Sequence, residues 1–308
     1  MISKGPRRAR APLVLLLGLV LFASVSCGTV EKGPGPVAKV SFAAAADMRD
    51  LAGDDPDLFR GACEAVRAGG PVDFFVSPGD IDPPDVVYYT IRTYLSSQMI
   101  WYPAVGNHDE ETVSDMAWLR EFNPDGSALP KIVNFGPPGT VETCYSFDYA
   151  DAHFVLLNEY YDGTSDTGAH GDVGDALHAW LVADLEKTAK PFVFVIGHEP
   201  AYPLPDSETG RLRHVGESLD KYPAHRDRFW QTLASHGVKA YICGHTHNQS
   251  ASKIDGVWQL DVGHARGYGD TATRSTYLVI SVEKTAVLKV YRLDLASGVY
   301  VKTAEIVL

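Results

Sequence analysis

The stretch YICGHTH, residues 241–247, decides the fold and the chemistry of this 308-residue chain. It closes an apolar run, 238–243, whose composition predicts a buried strand. A glycine follows this strand, and after it come two histidines, His245 and His247. Side chains directly after a buried strand lie at the carboxyl edge of a sheet, where α/β folds place their sites. The stretch therefore predicts a binding turn at the end of a strand.

Four earlier apolar runs also end in polar clusters. The candidate functional residues in those clusters are Asp47, Asp80, the pair Asn107 and His108, and His198. Segments with helical periodicity, such as 56–68 and 173–188, separate several of the predicted strands. Because neighbouring strands of an α/β sheet direct their terminal side chains into one crevice, we expect the five clusters to converge.

The converging side chains form a donor set of three imidazoles, two carboxylates and one amide. Mixed imidazole and oxygen donors suit Zn, Mn, Fe or Ni rather than a metal that prefers thiolates. A carboxylate can bridge two cations, and two metals about 3.5–4 Å apart can each bind a phosphate oxygen and activate water. The donor set predicts a binuclear metal centre.

Four motifs together resemble the calcineurin-like metallophosphoesterase superfamily, which includes purple acid phosphatases and class III cyclic-nucleotide phosphodiesterases. The motifs are Gly79-Asp80, Gly106-Asn107-His108-Asp109, Gly197-His198 and Gly244-His245-Thr246-His247. The resemblance implies a four-layer α/β/β/α sandwich, and the alternation of strands and helices agrees with it. It also implies a phosphoric ester hydrolase in which metal-bound hydroxide attacks a phosphate mono- or diester.

The resemblance implies a role for each motif residue. Asp80 is expected to bridge two divalent or trivalent metal ions. The other expected ligands of the first ion are Asn107, His198 and His245, and those of the second are Asp47 and His247. His108 is expected to contact the phosphate and protonate the leaving oxygen, with Asp109 orienting its ring. The glycines before the clusters are expected to let the backbone turn sharply.

One motif departs from the family pattern. The family usually opens with Asp-x-His, both residues binding one metal, but here the stretch is Asp47-Met48-Arg49. A charged arginine cannot bind a metal. Purple acid phosphatases also lack that histidine, but they have a tyrosine three residues after the bridging aspartate, where this chain has Pro83.

Three arrangements remain open for the second metal. Asp47, Asp80, His247 and water can hold it without a replacement ligand. Alternatively, Asp82 or Asp50 can stand in as a ligand. In the third arrangement the second site is weak and Arg49 faces the phosphate, because its planar fork suits bidentate binding.

Three further residues are candidates for substrate contact. His214 lies in the polar loop 200–223 after the His198 motif, and this loop is expected to choose between mono- and diesters. His264 and Arg266 closely follow the predicted strand 257–262 and are expected to line the pocket.

The N-terminus has the pattern of a targeting segment. Residues 11–26 are almost wholly apolar and follow four basic residues, Lys4, Arg7, Arg8 and Arg10. The apolar run is shorter than the ~20 residues that a spanning helix needs. Cys27 after small residues resembles a bacterial lipobox, although Ser24 occupies the usual leucine position. Residues 1–27 are therefore predicted to be a lipoprotein-type signal peptide lipidated at Cys27, with plain cleavage or an uncleaved anchor as alternatives.

The remaining chain is predicted to contain a tether, 28–36, and one catalytic domain, 37–308. The signal implies an extracytoplasmic protein of the bacterial cell envelope, attached to the membrane through the lipid, or a secreted protein. The isolated cysteines 63, 144 and 243 permit one disulfide in an oxidising compartment, and are equally compatible with small buried residues.

The overall charge limits the class of partner. A formal charge of −12 argues against nucleic-acid binding, which uses a basic face. It allows a phosphate-ester substrate, since metal ions supply local positive charge. The alternative function is a membrane-anchored pseudoenzyme or binding module with one metal or none. Only Arg49 favours it, while His108 and Asp109 argue against it.

Overall fold

The computed structural model describes residues 39–49, 59–265 and 272–308, together with residues 1, 2 and 5. Val37–Leu308 clusters as one compact unit. The predictions for the signal peptide, Cys27, the tether and residues Asp50 and Arg266 lie outside the described residues. Among the described helices, none combines the length and the apolar character needed to cross a membrane.

In the described parts of the chain, thirteen strands form two sheets. The first sheet has the order β13-β12-β11-β1-β2-β3, and the second has the order β4-β5-β6-β7-β8-β10-β9. In chain order the strands are β1 Val40–Ala44, β2 Phe74–Ser77, β3 Ile100–Pro103, β4 Ile132–Phe135, β5 Tyr145–Tyr149, β6 Ala152–Leu156, β7 Phe192–Ile196, β8 Ala240–Cys243, β9 Gln249–Ile254, β10 Val257–Val262, β11 Thr276–Val282, β12 Ala286–Asp294 and β13 Val299–Val307.

Each sheet combines a parallel part with antiparallel strands; the parallel part lies at one end of the first sheet and in the centre of the second. Strands β1, β2 and β3 pair in parallel, as do β6, β7, β8 and β10. The all-apolar sequence of β7 is buried at every position, as expected for a central parallel strand covered on both faces. Parallel pairing places the carboxyl ends of these strands at the same edge of their sheet.

Among the residues that the structure describes, six α-helices connect the strands. They are α1 Phe59–Gly69, α2 Pro84–Thr90, α3 Asn107–Glu110, α4 Val113–Arg120, α5 Asp175–Leu185 and α6 Pro223–Ser235. Helix α2 continues into a π-helical turn, Ile91–Leu95, and a short 3-10 turn, Leu219–Lys221, precedes α6. Helix α6 begins with a proline, which is favoured there because the first turn of a helix has no partner for its backbone N–H groups. Gly237 follows the end of α6 with a φ of 66°, the left-handed conformation that commonly ends a helix.

Three apolar clusters define the layers. The cluster between the sheets combines residues of both, and there Phe42 stacks on Phe74 at 5.2 Å and meets Phe194 edge-on at 5.5 Å. A second cluster packs α1 and α2 on the outer face of the first sheet. A third packs α5 and α6 on the outer face of the second sheet. The layer order is therefore helix, sheet, sheet, helix, which confirms the predicted sandwich.

Most predicted elements are present, with two classes of difference. Strand β10 has the predicted bounds, while helix α5 is shorter than the segment 173–188 that was predicted to be helical. Strands β4 and β9 were not predicted. Their sequences lack a buried alternating pattern, since β4 has no fully buried residue and β9 has polar residues at four of its six positions. Cys63, Cys144 and Cys243 are free and buried, which agrees with the non-disulfide interpretation.

Candidate metal centre

The loops that follow five parallel strands meet at one edge of the sandwich. Asp47 follows β1, Asp80 follows β2, Asn107 follows β3, His198 follows β7, and His245 with His247 follows β8. Each of the two sheets contributes to this edge. The structure thus brings together all six residues that the sequence predicts as metal ligands.

The first group of donors contains Asp80, Asn107, His198 and His245. The Asn107 Oδ1 atom lies 3.1 Å from His198 Nε2 and 3.1 Å from His245 Nδ1. His198 Nε2 also lies 3.4 Å from Asp80 Oδ1. We call these four residues the primary half-site.

The distances in the primary half-site fit a metal ion. Donor atoms placed tetrahedrally about 2.1 Å from a metal are about 3.4 Å apart. The His198 ring has the matching proton arrangement, because its Nδ1–H donates to the Pro78 carbonyl at 2.8 Å and leaves the Nε2 lone pair facing the other donors. Burial lowers the pKa of His198 and lowers that of His245 well below its usual range, so both rings are neutral and able to bind a cation.

The second group of donors contains Asp47 and His247, with Asp80 shared between the groups. His247 Nε2 lies 3.5 Å from Asp47 Oδ1. Asp47, Asp80 and His198 each offer one ligand atom, and these three atoms lie within 4.8 Å of one another. We call Asp47 and His247 the secondary half-site.

A buried polar atom without a partner also points to a cation. Among the described residues, Asp47 Oδ1 is buried and lacks a hydrogen-bond partner. Leaving such a group unpaired costs about 1–3 kcal/mol, and more if the group is charged. Burial, together with the nearby Asp80 carboxylate, raises the pKa of Asp47 well above its usual range. A metal ion removes this penalty, so the residues present fit the ions that the family implies.

The backbone at the ligand positions is strained. Asp47, Asp80, His245 and His247 have positive φ angles of 54°, 53°, 68° and 57°. Such left-handed conformations cost about 1–3 kcal/mol for residues other than glycine, and they cluster at functional sites. The fold therefore holds these four side chains in place at an energetic cost.

Two of the motif glycines, Gly106 and Gly244, allow close packing of loops instead of the predicted sharp turn. Only Gly79 has a positive φ, at 80°, and a Cβ there would lie 2.6 Å from His198 Nδ1. A Cβ on Gly244 would lie 2.5 Å from Asp47 Oδ2, and one on Gly106 would collide with the Asp80 amide and carboxylate. The prediction of sharp turns is therefore wrong for Gly106 and Gly244, which instead allow neighbouring loops to approach closely.

His108 lies at the rim of the centre. Its Nε2 is 3.9 Å from Asp80 Oδ2, and its backbone N–H donates to Asp80 Oδ1 at 3.0 Å. Its ring Nδ1 contacts Glu111 Oε1 at 2.5 Å, and the side chain remains 26% exposed. The ring is therefore positioned to meet a substrate above Asp80.

Asp109 does not orient His108 as expected. Its carboxylate instead accepts backbone N–H bonds from Gly106 at 2.7 Å, Asp80 at 3.0 Å and Ile81 at 2.9 Å. Asp109 thus fixes the loops around Asp80, while Glu111 holds the His108 ring. The Gly-x-x-Asp spacing matches one half of a capping box and signals only the bond from Gly106, not the bonds from Asp80 and Ile81.

Arg49 forms an ion pair with Asp82. Its Nε–H donates to the two carboxylate oxygens of Asp82 at 3.1 and 3.3 Å. Burial raises the pKa of Asp82 to about 6, an effect that Arg49 opposes. Asp82 is committed to Arg49, so the structure disfavours Asp82 as a replacement metal ligand.

His214 reaches the centre from the loop after β7. Its ring lies against that of His245, with centroids 4.3 Å apart, and its Nδ1 is 3.3 Å from Glu217 Oε2. Arg211 and Arg213 hold the loop on the β8 turn, each through a 3.4 Å contact to the Thr246 carbonyl. No role could be predicted for these two arginines from the sequence, because their contacts depend on how the loop folds back.

His264 lies behind the centre rather than in the pocket. Its ring is 1% exposed, 5.5 Å from the His247 ring, and its Nε2 is 3.2 Å from the Thr273 carbonyl. A buried ring in this position packs behind His247, so the expected substrate contact of His264 is not supported. Arg266 lies outside the described residues.

A buried acidic network supports the His198 turn and was missed in the sequence. Glu159 Oε2 accepts the backbone N–H of His198 at 2.9 Å and of Glu199 at 2.7 Å, and Tyr241 donates its hydroxyl to Glu159 Oε1. Burial raises the pKa of Glu159 to about 7 and that of Glu199 to about 8. Glu199 follows a predicted ligand, but no spacing rule links it to Glu159.

A profile of the calcineurin-like phosphoesterase family matches residues 42–249. The chain belongs to this family. The matched region spans all six predicted ligands, and the resemblance inferred from the four motifs is confirmed. The family binds divalent metals and acts on phosphate esters.

Two curated relatives of this chain are acid phosphatases. Purple acid phosphatase 22 of Arabidopsis thaliana is 27% identical over 186 residues, covering 57% of this chain and 38% of the relative. An acid phosphatase of Aspergillus ficuum is 27% identical over 168 residues, covering 42% of this chain and 24% of the relative. The chain thus spans less than half the length of either, and the two matches indicate a phosphoesterase-type hydrolase.

Two solved structures show the same fold. PhoD aligns with a TM-score of 0.56 at 13% identity, covering 89% of this chain and 70% of PhoD. GAP50, described as the anchor in the inner membrane complex of Plasmodium, aligns with a TM-score of 0.52 at 14% identity, covering 88% of both chains.

Proposed function

We propose that the chain is a metal-dependent phosphoesterase that hydrolyses a phosphate mono- or diester outside the bacterial cytoplasm. The observation on which this proposal rests is the primary half-site. Three pairs of its donor atoms lie 3.1 to 3.4 Å apart, and the family assigns metals to residues of these types.

The predicted ligand sets define how two ions would be held. Asp80, Asn107, His198 and His245 would hold the first ion, and Asp47, His247 and Asp80 the second. Bound ions of Mn, Fe, Zn or Ni supply an activated water nucleophile and positive charge for the phosphate oxygens.

The chain's own groups then act on the substrate. His108, exposed at the rim and held by Glu111, can donate a proton to the leaving oxygen. His214 lines the opposite rim beside His245. Asp109 and Glu159 accept backbone N–H bonds and so fix the positions of the ligand loops, which therefore reorganise little during catalysis.

The test is hydrolysis of a chromogenic phosphate monoester and of the matching diester by the full-length protein in mild detergent with Mn. We expect turnover that falls at least about 100-fold in His108→Ala, as removal of a general acid typically does. The substitution Asp227→Ala, on the exposed face of α6, is the matched control. Absence of turnover with Mn, Zn, Fe and Ni would contradict the proposal.

The location is part of the same proposal. A lipoprotein signal ending at Cys27 would attach the enzyme to the cell envelope, so labelled palmitate should enter the wild type and not Cys27→Ala. Secretion of unlabelled protein would instead support plain cleavage.

A binding module is the second candidate, because Arg49 stands in place of a metal-binding histidine. It predicts metal or phosphate binding without turnover of either ester.

A further inference from the structure

The Arg49–Asp82 ion pair joins the two loops that hold the metal-binding carboxylates. Arg49 is two residues after Asp47, and Asp82 is two residues after Asp80. These loops are also joined by their backbones, since the Met48 N–H donates to the Asp80 carbonyl at 3.0 Å. The ion pair therefore has a fixed position beside the centre.

Both partners of the ion pair are largely buried. The side chains of Arg49 and Asp82 are 21% and 14% exposed. The pair is therefore shielded from solvent between the two loops that carry Asp47 and Asp80.

Two nitrogens of the Arg49 guanidinium are available to bind a ligand. Its Nε–H is used by Asp82, whereas Nη1 and Nη2 have no protein partner within the described part of the chain. A guanidinium fixed at Nε presents its remaining N–H groups as a planar fork, which matches two oxygens of a phosphate. A residue that is charged, fixed and partly exposed at the edge of a metal centre is suited to binding an anion.

We propose that Arg49, positioned by Asp82, binds two terminal oxygens of the substrate phosphoryl group and makes the site selective for monoesters. The inference rests on the proposed phosphoesterase function and specifies its substrate class. A monoester presents three terminal oxygens and close to two negative charges, whereas a diester presents two oxygens and one charge. With a diester, the second ester group would occupy an oxygen position that Arg49 contacts, and the guanidinium would lose a partner.

The first measurement compares kcat/KM for p-nitrophenyl phosphate and bis(p-nitrophenyl) phosphate in the full-length, Mn-loaded protein. We expect Arg49→Ala to lower the monoester value about 10²–10³-fold, as loss of one donor to a developing oxyanion does, and the diester value by less than about tenfold. Arg49→Lys, which keeps the charge but not the fork, should recover part of the monoester loss. Asp82→Asn should give an intermediate loss, because Arg49 remains but is less firmly held.

The second measurement is the Kd of inorganic phosphate by calorimetry, with metal content determined on the same samples. Phosphate should bind about 10–100-fold more weakly to Arg49→Ala, while the bound metal is retained. Arg226→Ala, which removes an arginine paired with the exposed Asp227, is the matched control.

Equal losses on both esters, an unchanged phosphate Kd, or loss of bound metal in Arg49→Ala would overturn the proposal. If no ester is hydrolysed, the proposed function fails, and the phosphate Kd alone decides whether Arg49 binds the anion.

Discussion

The two halves of the centre are built differently. The primary half-site has four side-chain donors, two of which make fixed contacts to Asn107 at 3.1 Å. The secondary half-site has Asp47 and His247 at 3.5 Å, a share of Asp80, and Arg49 two residues beyond Asp47. From this comparison we expect one ion to be bound tightly and the other weakly, with the Arg49–Asp82 ion pair close in sequence to the two shared or second-site carboxylates.

The largest effect is expected from Asp80→Ala, because Asp80 belongs to both halves. Both ions should be lost, and hydrolysis should fall by at least about 10³-fold. Metal analysis after dialysis and ester hydrolysis measure the two effects. A variant that keeps one tightly bound ion would show that the primary half-site does not need the shared carboxylate. Asp227→Ala is the control for removal of an exposed carboxylate.

The substitutions His245→Ala and His247→Ala lie in the same turn, and each removes a ligand of a different half-site. His245→Ala should weaken the tight ion by more than about 100-fold, a larger loss than removal of a residue that only supports a ligand. His247→Ala should keep the tight ion and lose the weak one. Titration of metal-free protein with Mn gives both affinities. Similar losses in the two variants would contradict the difference between the halves.

A smaller effect is expected from Arg49→His, which restores the family motif. The added imidazole should raise the affinity for the second ion about tenfold, and preference for the monoester should fall as the guanidinium is lost. The same titration tests it, with Arg226→His as control. No gain in the second ion would show that Arg49 does not weaken this half.

The smallest effect on the centre is expected from His153→Gln, which tests stability apart from metal binding. His153 Nδ1 and Nε2 each lie 2.8 Å from a carboxylate, of Asp148 on β5 and of Asp184 on α5. Burial alone would lower the pKa of His153, but the hydrogen bonds to both carboxylates raise it. Lys190 also approaches Asp148, at 3.5 Å.

A folded-state pKa above the unfolded value gives stability that is complete below about pH 6.5 and is lost as the pH rises through the folded pKa. The wild type should therefore exceed His153→Gln by about 1–3 kcal/mol in free energy of unfolding at pH 6, and by less at pH 9. Urea unfolding in EDTA measures this. Metal content should be unchanged in the variant. A stability difference that grows with pH would show that His153 is not held as a cation.

Local pattern was sufficient for much of this protein. Strands such as β7 and β10 were predicted because their apolar runs are bounded by turn residues, and the ligands because each follows such a run. Strands β4 and β9 were missed because they lie at sheet edges, where pairing rather than composition decides. The contacts of Asp109, Glu111 and Glu159 were missed because they join residues from separate loops, or turns too short to show a pattern.

The sequence by itself determined the family, the sandwich and the six candidate ligands with their expected division between two ions, since these depend on four short motifs that each lie at a strand end. Only the tertiary structure decided why Gly106 and Gly244 must lack side chains, which groups hold Asp109 and His108, and that Arg49 pairs with Asp82. The physical reason is distance along the chain. His245 donates its backbone N–H to Asp47 across 198 positions of sequence, and a contact of that span exists only after the two sheets have packed together.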